Sequence, residues 1–271
     1  MPRVETLSNR NLFIQALIDK KNVMGAVILR DVRTRFFNHG LGFLIVPLWP
    51  LVHMIIVITI HTVALHGAAP AYGESAPIFV MTGVLPFLAF TYISRFMSIS
   101  VVMNKSMVTF PVVKVIDILF GRAILEIIAA FCTMFFVVTV MRAIGENPFP
   151  YDLENATCAY LSMIYLAFCV GFLIGIVQLA LPMMITIYQL IIIILYVSSG
   201  VYFVPSNLPD YISYPLSFNP VCIGIEWFRL SYFESYSDKL VHPAYMISVA
   251  TVILLIGLMI ERTFRRSLSE G

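Results

Sequence analysis

Six apolar runs, at approximately 43–65, 77–101, 118–141, 157–179, 183–203 and 243–261, account for much of this 271-residue chain. A helix needs about 20 apolar residues to cross a hydrocarbon core of ~30 Å, and each run meets that length. Inside lipid, a spanning segment that cannot close into a barrel has to satisfy its own N–H and C=O groups, which selects helices. Composition agrees: 60% of the residues are hydrophobic and 12% charged, too few charges to cover a soluble surface. The expectation is an all-α integral membrane protein with six transmembrane helices. The fourth and fifth runs are divided by little more than Pro182, which cannot continue a preceding helix's hydrogen bonding. About forty polar or amphipathic residues precede the first run, a pattern unlike an N-terminal signal peptide.

Lys and Arg set the expected orientation. One side collects Arg3, Arg10, Lys20, Lys21, Arg30, Arg33, Arg35, Lys105, Lys114, Arg262, Arg265 and Arg266. The opposite connections carry Arg142, Arg229 and Lys239, along with most of the acids. Both termini are therefore expected in the cytoplasm. Before the first run, Met24, Ile28, Val32 and Phe36 recur every fourth residue with Leu29 beside them. That periodicity predicts an amphipathic helix over about 20–38, lying in the headgroup layer. Arg30 and Arg33 point elsewhere, while Arg35 falls within the apolar arc and has to snorkel. Residues 204–242 form a Pro- and aromatic-rich connection in which "NPVCIGIEWFRLSYF" suits a short amphipathic helix, too short to cross. A re-entrant or interfacial element is expected there, enclosed by protein or a watery cavity.

Several chemistries lack their motifs. There is no G-x-x-x-x-G-K-[ST] phosphate loop, no HExxH and no G-x-S-x-G. Cys132, Cys158, Cys169 and Cys222 form no CxxC pair, and three of them sit in apolar runs, where Cys acts as a small hydrophobe. His53, His61 and His66 read as buried polar residues or interface anchors, so no metal site is expected. A net charge of +2 suggests no nucleic-acid partner.

One stretch interrupts the apolar pattern: "TFPVVKVIDILFGR", residues 109–122. Lys114 fits a cytoplasmic loop, and Asp117 suits the positive end of a helix that begins there. A merely solvated loop would not carry the apolar residues around them, so the segment reads as a short element that docks on something.

At this point "LRDVRTRF" (29–36), "FPVVKVIDILFGRAILE" (110–126) and "NPVCIGIEWFR" (219–229) together resemble the permease subunits of ABC-2 type polysaccharide exporters, in particular the capsular polysaccharide export group. The resemblance extends over nearly the whole chain in order and hydropathy. It implies a single ABC-2 type transmembrane domain over 1–271, with a gate helix at about 20–38, a cytoplasmic coupling segment at about 104–117 and an outer-side re-entrant region at about 204–242. The coupling segment would rest in a groove on a separate ATP-binding subunit, with Phe110, Pro111, Lys114 and Asp117 in the segment and Arg30 and Asp31 on the gate helix as the implied coupling residues. Two copies of each subunit would assemble, with ATP and Mg on the partner and no cofactor in this chain. The implied cargo is a lipid-linked polysaccharide, passed on to a periplasmic co-polymerase or adaptor and an outer-membrane channel. The implied location is the bacterial inner membrane. One departure stands out. The family often has a charged connection between spans four and five, whereas "VQLALPMMITIYQ" (177–189) has none.

Charges inside a membrane default to functional hypotheses. Arg95 and Glu126 lie at similar expected depth and could pair, or Arg95 could meet an anionic part of the cargo or snorkel to the headgroups. Arg122 and Glu126 are one turn apart and could pair locally. Tyr202, Trp227 and Phe228 are candidates for lining the exit among aromatics that otherwise suit an interfacial belt. Glu226 and Arg229, three apart, could form an ion pair within the re-entrant element. Other ABC-2 permeases, for O-antigen, teichoic acid, lipid or drug, share this hydropathy. A membrane enzyme acting on lipid-linked sugars is the alternative from another class.

Overall fold

In a computed structural model the chain is described over residues 9–35, 48–64, 70–110 and 112–269. Its helices are α1 (Asn9–Arg35), α2 (Leu48–Ala64), α3 (Ala76–Met103), α4 (Lys105–Val108), α5 (Val115–Ala143), α6 (Leu153–Ala180), α7 (Met184–Ser198), α8 (Asp210–Leu216), α9 (Pro220–Leu230) and α10 (Pro243–Ser269). No strand occurs among the described residues. The chain is an all-α integral membrane protein.

Helix starts carry local signals. Ser75 accepts from the Ile78 N–H at the head of α3, with a Pro in the first turn. Asp152 accepts from the Asn155 N–H at 3.0 Å to start α6. Asn219 accepts from the Val221 and Cys222 N–H groups, with Pro220 opening α9. These are side-chain caps for otherwise orphaned donors.

Helix α3 is the central post. Of its most apolar stretch 78% is buried, against 17% for α10, which therefore runs along the outside. Its main partner is α6, and small residues set how near the two come. A Cβ at Gly171 would stand 2.9 Å from Ser94 Cα and 2.9 Å from Met97 Cβ. Close backbone approach of this kind replaces the hydrophobic drive that is absent between helices in lipid. Polar side chains add to the hold on α3: Gln178 of α6 donates to the Ser98 carbonyl, and Tyr188 Oη of α7 donates to Ser94 Oγ at 2.6 Å.

Among the described residues four helices are long and apolar enough to cross a membrane: α3, α5, α6 and α10 through Thr263. The runs read as the first and fifth spans give shorter helices. Residues 43–47 and 65 of the first lie outside the described residues, leaving the 17 of α2. Helix α6 ends at Ala180 and α7 starts at Met184, so the break falls at Pro182 as its missing donor requires. The fifth span was expected to reach 203, but α7 stops at Ser198. Gly200 follows with φ 78°, the left-handed conformation that ends helices and that Gly adopts without penalty. At 1.5 Å per residue α7 is only about 22 Å long.

Helix α1 differs from its expected setting. It runs from Asn9, well before residue 20, to Arg35, and residues 36–38 of the expected helix lie outside the described residues. The buried side centres on Val27 and Asp31, at 0% and 5% exposure, while Leu29 is exposed. That line packs on α5. The apolar period alone pointed one position round the helix. The register is instead fixed by Asp31 and Lys20 reaching opposite charges on α5.

Helix α9 is buried at every position from Val221 to Arg229, between α3, α6 and α10. Eleven residues cannot span a bilayer. The short helix expected in 204–242 is present, enclosed by protein rather than resting on a surface.

Candidate functional site

The charges that interrupt the apolar pattern converge where α1 meets the start of α5. Lys114 opens α5 in extended backbone, and Asp117 Oδ2 accepts its N–H at 3.0 Å. This is the acidic half of a capping box, since Lys114 offers no side-chain acceptor in return. The other Asp117 oxygen, Oδ1, accepts from Lys20 Nζ on α1. One turn further, Arg122 Nη1 lies 2.8 Å from Asp31 Oδ2, and Nη2 lies 2.9 Å from Glu126 Oε1. Asn104, just past the end of α3, donates to Asp31 Oδ1 at 2.9 Å and to the Ser100 carbonyl at 3.0 Å. The Arg122 guanidinium also sits 5.0 Å from the Phe96 ring centre. Arg122, Asp31 and Glu126 are all nearly solvent-free. A buried charge is tolerable only when paired and hydrogen-bonded, and here one cation serves two carboxylates. The network ties α1, the end of α3 and the first turns of α5 into one body.

The coupling candidates divide around it. Asp31 and Asp117 are inside the network, and Arg30 is half-buried. Lys114 is exposed, as is Phe110 at 61% with Val112 beside it. Pro111 lies outside the described residues. Between Met103 and Val115 the segment holds one helical turn, α4, and then an irregular strip that presents Phe110 and Val112 outward.

The Arg95–Glu126 pairing is not made. Glu126 is held by Arg122 on its own helix, whereas Arg95 is exposed and forms no ion pair among the described residues. Four residues on one helix already place guanidinium and carboxylate together, so Glu126 finds its cation locally. The Glu226–Arg229 ion pair is likewise absent among the described residues. Both side chains are completely buried, but Glu226 Oε1 accepts from Tyr236 Oη, and Arg229 turns to backbone carbonyls.

Trp227 is buried and donates through Nε1 to Asn155 Oδ1 at 3.2 Å. Phe228 is fully buried between the rings of Tyr160 and Tyr232. Of the three pathway aromatics, Tyr202 keeps real exposure, at 37%. Its hydroxyl donates to Tyr196 Oη, which also meets His53 Nε2 at 2.8 Å across the gap between α2 and α7. The rings of Tyr196 and Phe87 are 4.9 Å apart. Sequence reasoning did not find this His–Tyr–Tyr chain. Nor did it find Lys20 or Asn104, although Lys20 and Asp31 are eleven apart, three helical turns, and so share a face. Among the described residues no three His, Cys, Asp or Glu side chains are grouped to hold a metal ion.

A polytopic helical membrane protein is the class this arrangement defines: a buried post, outer helices with apolar faces, and charge concentrated where an N-terminal helix joins one interhelical connection. No family model matches the chain. Relatives named for capsule polysaccharide export or polysialic acid transport match it over nearly its whole length. The capsule polysaccharide export inner-membrane protein CtrC of Neisseria meningitidis is 26% identical over 259 residues, 95% of this chain and 97% of the relative. The polysialic acid transport protein KpsM of Escherichia coli is 28% identical over 248 residues, 90% and 94%. The capsule polysaccharide export inner-membrane protein BexB of Haemophilus influenzae is 24% identical over 260 residues, 96% and 97%. These names bear out the resemblance drawn from the three motifs.

Proposed function

We propose that this chain is the transmembrane subunit of an ATP-driven exporter that moves a lipid-linked capsular polysaccharide across the inner membrane. The observation that carries the reading is full-length similarity to three proteins named for capsule polysaccharide export or polysialic acid transport. The chain itself performs no covalent chemistry. ATP and Mg are bound by a separate subunit, present in two copies with two copies of this chain, and both termini of each copy face the cytoplasm. Periplasmic and outer-membrane partners take the polymer onward.

The geometry supports a route for mechanical input. Exposed Phe110 and Val112 offer an apolar foot for the ATP-binding partner. Behind that foot, Asp117 and Arg122 lead to Lys20 and Asp31. A push on the connection therefore displaces α1 with it, and α1 serves as the gate helix.

Purification from native membranes in mild detergent, with native mass spectrometry and an ATPase assay, tests the proposal. Two copies of the chain with two ATP-binding subunits, together with loss of surface polysaccharide when the gene is deleted, is the expected result. A chain that purifies alone and processes lipid-linked sugar without ATP would replace the exporter with a membrane enzyme.

A further inference from the structure

Arg229 is the largest charged group of the re-entrant helix and has no carboxylate partner within ion-pair distance among the described residues. Nη1 donates to the carbonyls of Gly200 at 2.6 Å and Phe203 at 2.7 Å, and Nη2 donates to that of Val201 at 2.8 Å. The guanidinium carbon lies 4.5 Å from the centre of the Phe79 ring. Those three carbonyls belong to the irregular stretch that begins where α7 ends. Irregular backbone at membrane depth has no water to satisfy it and needs donors from elsewhere in the protein. The negative end of the α7 dipole favours a cation at the same place.

The depth follows from Gly83, seven residues inside α3 and so about 10 Å below its Ala76 end. A Cβ on Gly83 would run into the Val201 carbonyl oxygen and stand 2.6 Å from Arg229 Nη2. Tyr202 lies between the clamped carbonyls of Val201 and Phe203, and its hydroxyl is bound to Tyr196.

We infer that Arg229 is a positioning residue for transport: it clamps the backbone at 200–203 within the membrane and so fixes Tyr202, the exposed end of the His53–Tyr196–Tyr202 chain, toward the passage. The inference rests on the exporter reading for the word transport, but the clamp itself does not.

The test uses the full chain co-expressed with its ATP-binding subunit, in a background with Cys132→Ala and Cys158→Ala and a Tyr202→Cys reporter. The rate at which a small membrane-impermeant maleimide modifies the reporter reads the position of 202. Surface polysaccharide, measured separately without the reporter, reads transport. Arg229→Met should change the labelling rate at least fivefold and reduce export at least tenfold in complexes that still co-purify. Arg229→Lys, able to reach some of the same carbonyls, should recover part of both. If Arg229→Met does not assemble, Gly83→Ala is read instead and should move both quantities in the same direction. Labelling and export at the parent level in whichever of these two assembles overturns the inference. A wild-type chain that supports no polysaccharide export, with labelling still dependent on Arg229, would sink the exporter reading and leave the clamp standing.

Discussion

Arg122 Nη1 stands 2.8 Å from Asp31 Oδ2, joining two nearly solvent-free side chains that are 91 residues apart in sequence. The contact fixes α1 to α5 at a single depth and register. It also places two carboxylates, Asp31 and Glu126, on one guanidinium.

Removing the shared cation is therefore worse than removing either anion. Arg122→Ala should destabilise the purified chain by about 3–5 kcal/mol, because two buried carboxylates lose the cation they share. Asp31→Asn should cost less, about 1–3 kcal/mol, since Glu126 still neutralises Arg122. Heating detergent-solubilised protein and measuring the monodisperse fraction by size exclusion gives the order. An equal loss for both would mean the triad is not coupled.

Lys20 and Asp117 make an asymmetric pair. The lysine side chain is 45% exposed and the aspartate 3%. Lys20→Ala should change stability by no more than about 1 kcal/mol, and less at high salt. Asp117→Ala also removes the acceptor of the Lys114 N–H and should cost about 1 kcal/mol more. Melting curves at low and high sodium chloride separate the two contributions.

Phe110 and Val112 contribute surface rather than core. Their replacement by Ser should leave the stability of the isolated chain within about 0.5 kcal/mol of the parent. Co-purification of the ATP-binding subunit should drop at least tenfold, an effect of ~1.4 kcal/mol or more on binding. Pull-down at fixed expression levels reads this directly. Retained partner with Ser at both positions would move the contact elsewhere.

Asp152 gives a pH signature outside the spanning segments. Hydrogen bonds from the backbone and side chain of Asn155 hold its carboxyl below the usual value. The folded-state value lies under the unfolded one, so its contribution is present above the unfolded value and disappears as pH falls through the lowered one. Asp152→Ala should accordingly melt earlier than the parent near neutrality. The two curves should converge in acid. Thermal denaturation followed down the pH scale checks the convergence.

How much of this was visible beforehand depended on which interactions are local. The helical runs, the break at Pro182 and the short helix after Asn219 follow from length, Pro and capping chemistry within a few residues. The partner of Glu126 was legible too, because Arg122 sits one turn away. Three features were not. The face α1 buries is decided by Asp31 and Lys20 meeting charges about 90 to 100 residues on, which no local period reveals. Arg229 satisfies carbonyls, and every residue has one, so nothing in its neighbours marks them. The His53–Tyr196 contact joins helices 143 residues apart.

The shortness of α7 has a consequence for lipid. Beside a helix of about 22 Å, a hydrocarbon layer of ~30 Å has to dimple or be met by the chain that continues past Ser198, at a cost of fractions of a kcal/mol per Å of mismatch. Where the layer dimples, a sugar polymer passing along that side would cross an insulating layer about a quarter thinner than the surrounding bilayer, so fewer of its hydroxyls would be stripped of water at any one moment.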